Sequence, residues 1–160
     1  MSVRVVRVET PEQRAEMTSI RMTVFVDEQG VDAEVEMDEL DTDPTTAHVL
    51  AIAADGTALG TARLLAPEHP DGPAHIGRVA VLSTARGFGV GALLMTALEE
   101  LALARHGVVG DGLRSVSVEL SAQEQALGFY GRLGYVARPE RYLSEGIWHR
   151  DAVKVVTTPA

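Results

Sequence analysis

The chain has 160 residues, 46% of them hydrophobic, which suits one domain with its own core and is short for two. It has no cysteine, so disulfides, thiolate zinc sites and a cysteine nucleophile are excluded together. The net charge of −9 comes from one segment: residues 27–43 carry nine acids and no Lys or Arg, and the other 14 acids match the 14 basic residues.

This segment reads first as a solvated face that keeps the protein soluble, and second as an acidic rim that concentrates a cationic substrate such as an amine. Either way nucleic acid is excluded as a partner, because counterion release needs clustered Lys and Arg. No run approaches 18 apolar residues without a charge or glycine, and no apolar stretch at the N-terminus leads to a cleavage site. A cytoplasmic chain with no membrane partner is expected, folded as a single domain over residues 1–160.

Val3, Val5, Val6 and Val8, interleaved with Arg4 and Arg7, predict a first strand. Thr10-Pro11-Glu12-Gln13 supplies an N-cap, a proline at the first helical position and an acid in the first turn. A helix follows to about Val26, with Met17, Ile20 and Val24 toward the core. The acidic segment after Gly30 has poor periodicity and reads as loop. Period-two alternation begins at Ala47, and Asp55-Gly56 turns the chain into an antiparallel partner over residues 58–65.

A loop rich in Pro, Gly, His and Asp leads to a strand over residues 74–81. Gly87, Gly89 and Gly91 alternate in the turn after it, and a helix over residues 89–105 presents Val90, Leu93, Leu94, Ala97, Leu98 and Leu101 as one apolar stripe. A strand that delivers its end to a glycine-rich turn and a helix N-terminus collects free N–H groups and the positive end of a dipole, which suits an anion, most naturally phosphate. After a break at residues 107–112 come a strand over 113–120, a helix over 122–133 with Gly134 as its C′ residue, a short strand over 135–137, a loop containing Pro139 and a last strand near residues 147–156. This order indicates an α/β sandwich on a mixed sheet.

Arg86-Gly87-Phe88-Gly89-Val90-Gly91, after a strand and opening a helix, resembles the Arg/Gln-x-x-Gly-x-Gly/Ala signature of the GCN5-related N-acetyltransferase (GNAT) superfamily. Further pieces resemble its ElaA-type subgroup in the right order: Arg21 with Val24-Phe25-Val26 and Glu28-Gln29, Ala47-His48, Gly60-Thr61-Ala62-Arg63-Leu64, Ile76-Gly77-Arg78-Val79-Ala80-Val81, Ala122-Gln123, Phe129-Tyr130, Leu133-Gly134-Tyr135 and Glu145-Gly146-Ile147-Trp148-His149. The resemblance covers nearly the whole chain. It implies a mixed, mostly antiparallel twisted sheet with splayed parallel central strands and helices on both faces.

By the same resemblance, acetyl-CoA is the cosubstrate. Backbone groups of Arg86, Gly87, Phe88, Gly89, Val90 and Gly91 hold its pyrophosphate, and Val79, Ala80 and Val81 pair with its pantetheine arm. Tyr130 matches the family's general acid, which protonates the departing thiolate, and the acceptor amine attacks the thioester directly. The turn also fits a G-x-G-x-x-A dinucleotide pattern, but the acid expected about 20 residues on falls in the loop near Gly107.

An ammonium must lose a proton before it attacks. Glu28, His48, His75, Glu119, Glu145 and His149 are candidates, each with a bland reading as a solvated or packed side chain; His149 and Glu28 lead, as base or substrate-side groups. No metal is expected: His69 and His75 are separated by Pro70 and Pro73, and HExxH is absent, as are the serine-hydrolase elbow and the P-loop. Two readings stay open. One is an acyl-CoA-dependent N-acetyltransferase acting on a small-molecule or peptide amine; the other is a non-catalytic acyl-CoA-binding module. An exposed last strand also leaves a homodimer open.

Overall fold

A computed structural model of the chain describes residues 2–160. They form two compact units, each discontinuous in sequence: the N-terminus to Leu65 with Arg78–Leu98, and Ala66–Gly77 with Glu99–Ala160.

The first unit starts with β1 (Val3–Arg7) and α1 (Pro11–Arg21). Thr10 and Gln13 close a reciprocal capping box at the start of α1. The helix does not stop at Arg21. It continues as a π-helical segment, Met22–Glu28, a form that recurs at functional sites. Met17, Ile20 and Val24 pack on Leu50, Ile52 and Ala80, as their spacing predicts.

The acidic segment is not the expected loop. Asp32 caps α2 (Ala33–Glu36), and Asp38 caps a 3₁₀ turn, Glu39–Thr42. Then come β2 (Ala47–Ala53) and β3 (Ala58–Leu65), antiparallel in the register Leu50↔Thr61, with β1 on the far edge of β2. Six of the seven β2 residues are buried, which explains its nearly unbroken apolar run.

The C-terminal half of β4 (Ala74–Val81) and the first two turns of α3 (Val90–His106) complete this unit. A Cβ on Gly60 of β3 would lie 2.9 Å from the Ala80 carbonyl and within 3.3 Å of Val90 and Leu94, so glycine there permits the close approach of strand and helix. Along α3, Val90, Leu94, Met95, Leu98 and Ala102 are buried, while Leu93 is 41% exposed. The predicted stripe is therefore turned by about one position: its core line runs through i, i+4 and i+8, not through i+3.

The second unit holds the N-terminal half of β4, β5 (Val108–Gly110), β6 (Leu113–Gln123), a 3₁₀ turn Glu124–Ala126, α4 (Leu127–Arg132), β7 (Val136–Ser144) and β8 (Ile147–Pro159). Here β4 runs parallel to β6, through Ala74↔Val118 and His75↔Glu119, and among the described residues the register ends there. Antiparallel pairing joins β6 to β8 along its whole length, β8 to β7, and β5 to β6. The fold is thus α/β with a mixed, mostly antiparallel sheet, ordered β1-β2-β3-β4 in the first unit and β4-β6-β8-β7 in the second.

Three expectations need correction in this unit. The glycine-rich break is a hairpin, because Asp111 and Gly112 both take the positive φ of a tight Asp-Gly turn (52° and 75°). Residues 122–123 extend β6 and do not open the next helix. The strand after Tyr135 runs through Pro139 to Ser144, since the proline falls in a register shift between Ala137 and Arg141 where its missing N–H breaks no ladder bond. No described helix is long and apolar enough to cross a membrane.

Candidate active site

The first unit holds the glycine-rich turn. Gly87 and Gly89 have φ of 87° and 78°, which a side chain strains, and a Cβ at either would meet nothing within 4 Å. Glycine is required there for backbone conformation and not for packing. Gly87, Phe88 and Gly89 lie in a turn, and the ladder of α3 opens with Leu93 N–H on the Gly89 carbonyl, so the N–H groups of Val90, Gly91 and Ala92 precede the first helical bond. These first-turn donors stand at the N-terminus of a 17-residue helix, the arrangement that receives anionic oxygen atoms. Phe88 in the turn is 57% exposed, and Val90, the first residue of α3, is buried.

Arg86 is fixed from two sides. Its Nε donates to the Val81 carbonyl at 3.0 Å, and its Nη2 donates to Glu28 Oε2 at 2.7 Å. The structure thus brings together two residues singled out separately in the sequence. Within β4, Ala80 is buried and Val79 and Val81 are half-buried. Arg78 just before them has φ of 53°, a rare value for a non-glycine residue in a strand.

The side chain of Arg78 leads to a cluster that the sequence reading missed. Arg21, 1% exposed, donates through Nε to Glu36 Oε1 (2.9 Å), through Nη1 to Asp41 Oδ1 (2.7 Å), and through Nη2 to the Glu36 carbonyl (2.7 Å). Arg63 grips both oxygens of Asp38 (2.8 and 3.0 Å) and also reaches Asp41 (2.9 Å). Arg78 lies 3.2 Å from the Glu36 carboxylate and 3.4 Å from that of Asp38. Burial alone would raise the Asp41 carboxyl, but hydrogen bonds from Arg21 and the Asp38 N–H, with the charges beside them, hold it well below the usual range. Asp38 is lowered chiefly by its hydrogen bonds from Arg63.

Glu36, Asp38 and Asp41 are therefore internal counterions, which corrects their reading as a solvated face or an open acidic rim. The available signal was an arginine inside each of two apolar strands, Arg63 in β3 and Arg78 in β4. His48, a candidate base, is buried beside the same cluster with Nε2 3.2 Å from the Asp41 carbonyl. Burial lowers its pKa despite the nearby Asp41.

The second unit holds the other candidates. Tyr130 lies on α4, whose end is a Schellman motif: Tyr135 N–H bonds the Tyr130 carbonyl (3.1 Å), and Gly134 N–H bonds that of Gly131 (3.1 Å), with Gly134 at φ 97°. Tyr135 is anchored in turn by its hydroxyl on Glu99 Oε2 (2.7 Å), whose other oxygen accepts from Lys154 (2.9 Å). The Tyr130 ring meets Phe129 and Tyr135 edge-on, at 4.9 and 6.0 Å between centroids. Among the described residues its hydroxyl has no hydrogen-bond partner, and burial pushes its pKa up to about 12.

His149 opposes Tyr142 on β7 and stacks on its ring, and its Nδ1 lies 2.7 Å from the Ile147 carbonyl. Glu119, opposite His75 in the parallel pair, is bound by Arg138 (3.1 Å). Glu145 is a turn residue with φ of 50°, in the two-residue connection from β7 to β8.

Residues 14–135 match the model of the acetyltransferase (GNAT) family. The uncharacterized N-acetyltransferase YjcF of Bacillus subtilis is 36% identical over 145 residues, covering 89% of this chain and 93% of the relative. An acyl-CoA N-acyltransferase from Pseudomonas aeruginosa is 34% identical in a structural match of TM-score 0.76, over 96% of this chain and 98% of that one. Escherichia coli ElaA is 26% identical with a TM-score of 0.78 and the same coverage of both chains.

Proposed function

This chain belongs to the acetyltransferase (GNAT) family, and from that premise we propose that it transfers an acetyl or related acyl group from coenzyme A to a primary amine by direct attack on the thioester. The observation that carries the reading is the glycine turn, with Gly87 and Gly89 in the left-handed region, that opens the N-terminus of the 17-residue helix α3. The two left-handed glycines bear no side chain, so a diphosphate can approach the backbone closely there. Val79, Ala80 and Val81 offer strand backbone for the pantetheine amides, and the Glu28 carboxylate steadies Arg86 beside the turn.

A base removes one proton from the acceptor ammonium, and the free amine forms a C–N bond to the thioester carbonyl as the C–S bond breaks. The nitrogen sheds a second proton and the thiolate takes one, so that amide, thiol and one net proton result. His149 is the base in this reading: a carbonyl can only accept, so the 2.7 Å contact to Ile147 puts the hydrogen on Nδ1 and leaves the Nε2 lone pair for the ammonium.

Tyr130 donates a hydrogen bond to the departing sulfur. With the phenol near 12 and an ordinary thiol at about 8.5, full transfer is uphill by roughly three-thousandfold, so the hydroxyl stabilises the thiolate and relays a proton without resting as tyrosinate.

A panel of primary amines is incubated with acetyl-CoA and free thiol is followed. Amine-dependent thiol release is expected, and Tyr130→Phe should lower kcat about 10-fold or more while leaving acetyl-CoA affinity in place. Acetyl-CoA binding with no amine-dependent release across the panel would favour a non-catalytic acyl-CoA-binding module instead. A Tyr130→Phe variant with full turnover but weak donor binding would remove the role given to that hydroxyl.

A further inference from the structure

His149 is held on one face of the second unit by groups that neither the family signature nor the reaction requires. In antiparallel pairs directly opposed residues share a face. By that rule Tyr142 and Gln123 flank His149 on β7 and β6, and Ser121 and Asp151 lie side by side one step along the same face. The Tyr142 ring lies against the imidazole with 5.8 Å between centroids and 16° between planes. Its hydroxyl donates to Asp151 Oδ1 at 2.7 Å and accepts from the Ser121 hydroxyl.

A tyrosine that is 37% exposed on an edge strand has little packing to fix its ring. Here the hydroxyl end is tied to β8 and to β6, so the ring has one setting, and the imidazole plane must match it. Rotation of the imidazole about its Cβ–Cγ bond is limited by the same ring and by the Nδ1 hydrogen bond to Ile147. The chain of contacts runs from Asp151 and Ser121 through Tyr142 to His149, and it ends at the nitrogen assigned to the acceptor's proton.

We propose that Tyr142, anchored by Asp151 and Ser121, is a positioning residue for His149: it holds the imidazole in the plane from which Nδ1–H reaches the Ile147 carbonyl and Nε2 faces the acceptor amine. The inference rests on His149 as the base. The proton step is unchanged: Nε2 takes one proton from the ammonium and later returns it to solvent, and Tyr142 exchanges no proton and touches no reacting atom.

The test compares Tyr142→Phe, Tyr142→Ala, Asp151→Asn and His149→Gln in two measurements. The first is amine-dependent thiol release, separated into kcat and the KM for acetyl-CoA. The second is the ¹⁵N–¹H correlation spectrum of the imidazoles in alkaline buffer, where the rings are neutral and the tautomer can be read; His149→Gln assigns the His149 signal among the five histidines.

His149→Gln should cost about 10²-fold in kcat. Tyr142→Ala, Tyr142→Phe and Asp151→Asn should each cost about 3- to 10-fold through misplacement of the ring, with KM for acetyl-CoA unchanged, Tyr142→Phe at least as much as Asp151→Asn because it loses both anchors. The wild-type spectrum should show one Nδ1–H tautomer, and Tyr142→Ala and Asp151→Asn should show a mixture. Wild-type kcat in both of those variants while His149→Gln is impaired would overturn the role of Tyr142 and leave the base intact. Full kcat in His149→Gln would overturn both. If no amine in the panel reacts, an unmixed Nδ1–H tautomer in Tyr142→Ala and Asp151→Asn overturns the proposal, and a mixture supports it.

Discussion

Asp41→Asn removes the charge at the centre of the buried ion cluster while keeping its volume. The carboxylate accepts from Arg21 Nη1 and Nη2 (2.7 and 3.2 Å), from Arg63 Nη1 (2.9 Å) and from the Asp38 N–H (2.9 Å). Asparagine keeps one acceptor oxygen and sets an NH₂ against two of those donors. The side chain is 3% exposed, so water does not make up the loss. Breaking one partner of such a buried network costs about 3–5 kcal/mol. With a urea m-value of about 2 kcal/mol/M, the unfolding midpoint should fall by about 2 M.

The pH dependence gives the sign. The native carboxyl is held below its unfolded value, so its stabilisation is present above about pH 4 and is lost as pH falls toward the native value. Wild type should lose stability steeply below about pH 4, and Asp41→Asn should lose less over the same range. Urea denaturation of both proteins, at neutral pH and near pH 3, measures this. A midpoint shift of under about 0.5 M, or equal acid slopes in the two proteins, refutes the reasoning.

His48 adds a second pH effect of the same sign at higher pH. Its native pKa is depressed by burial, so its stabilisation is full above the unfolded value of about 6.5 and is lost as pH falls below it. Thermal unfolding between about pH 8 and pH 5 should therefore show a fall in Tm that His48→Gln flattens, and parallel curves would contradict this. Gly89→Ala places a side chain at φ of 78° at a cost of about 1–2 kcal/mol, although its Cβ meets no neighbour. It should raise the KM for acetyl-CoA more than it lowers kcat; an unchanged KM with a lower Tm would mean that the turn is structural only.

The elements that set the donor turn were legible because local rules specify them. The capping box at Thr10, the Asp55-Gly56 hairpin, the strand to Val81 and the glycine alternation each rest on neighbours within a few residues. The Schellman end of α4 was legible from Gly134 for the same reason. The buried cluster was not. Glu36, Asp38 and Asp41 look like any surface acids until folding brings Arg21, Arg63 and Arg78 to them across up to 42 positions. Pro139 misled in the same way, since only the partner strand reveals that its position needs no N–H. The pairing of Tyr142 with His149 depends on a register set by the Glu145-Gly146 turn, and the Glu28 link to Arg86 spans 58 positions.

The internal use of those acids changes what an approaching ion encounters. Of the nine acids between residues 27 and 43, Glu36, Asp38 and Asp41 face three guanidiniums and Glu28 faces a fourth. Asp27, Asp32, Glu34, Glu39 and Asp43 are left exposed. A formal charge of −9 therefore overstates the far field of this segment: roughly half of its acids form short dipoles whose potential dies away faster than that of a free charge. Capture of a cationic acceptor would draw on five exposed carboxylates, screened over about 8 Å in physiological salt. Added salt should slow that encounter yet barely touch the buried pairs, so ionic strength can tune arrival at this surface without loosening the scaffold beneath it.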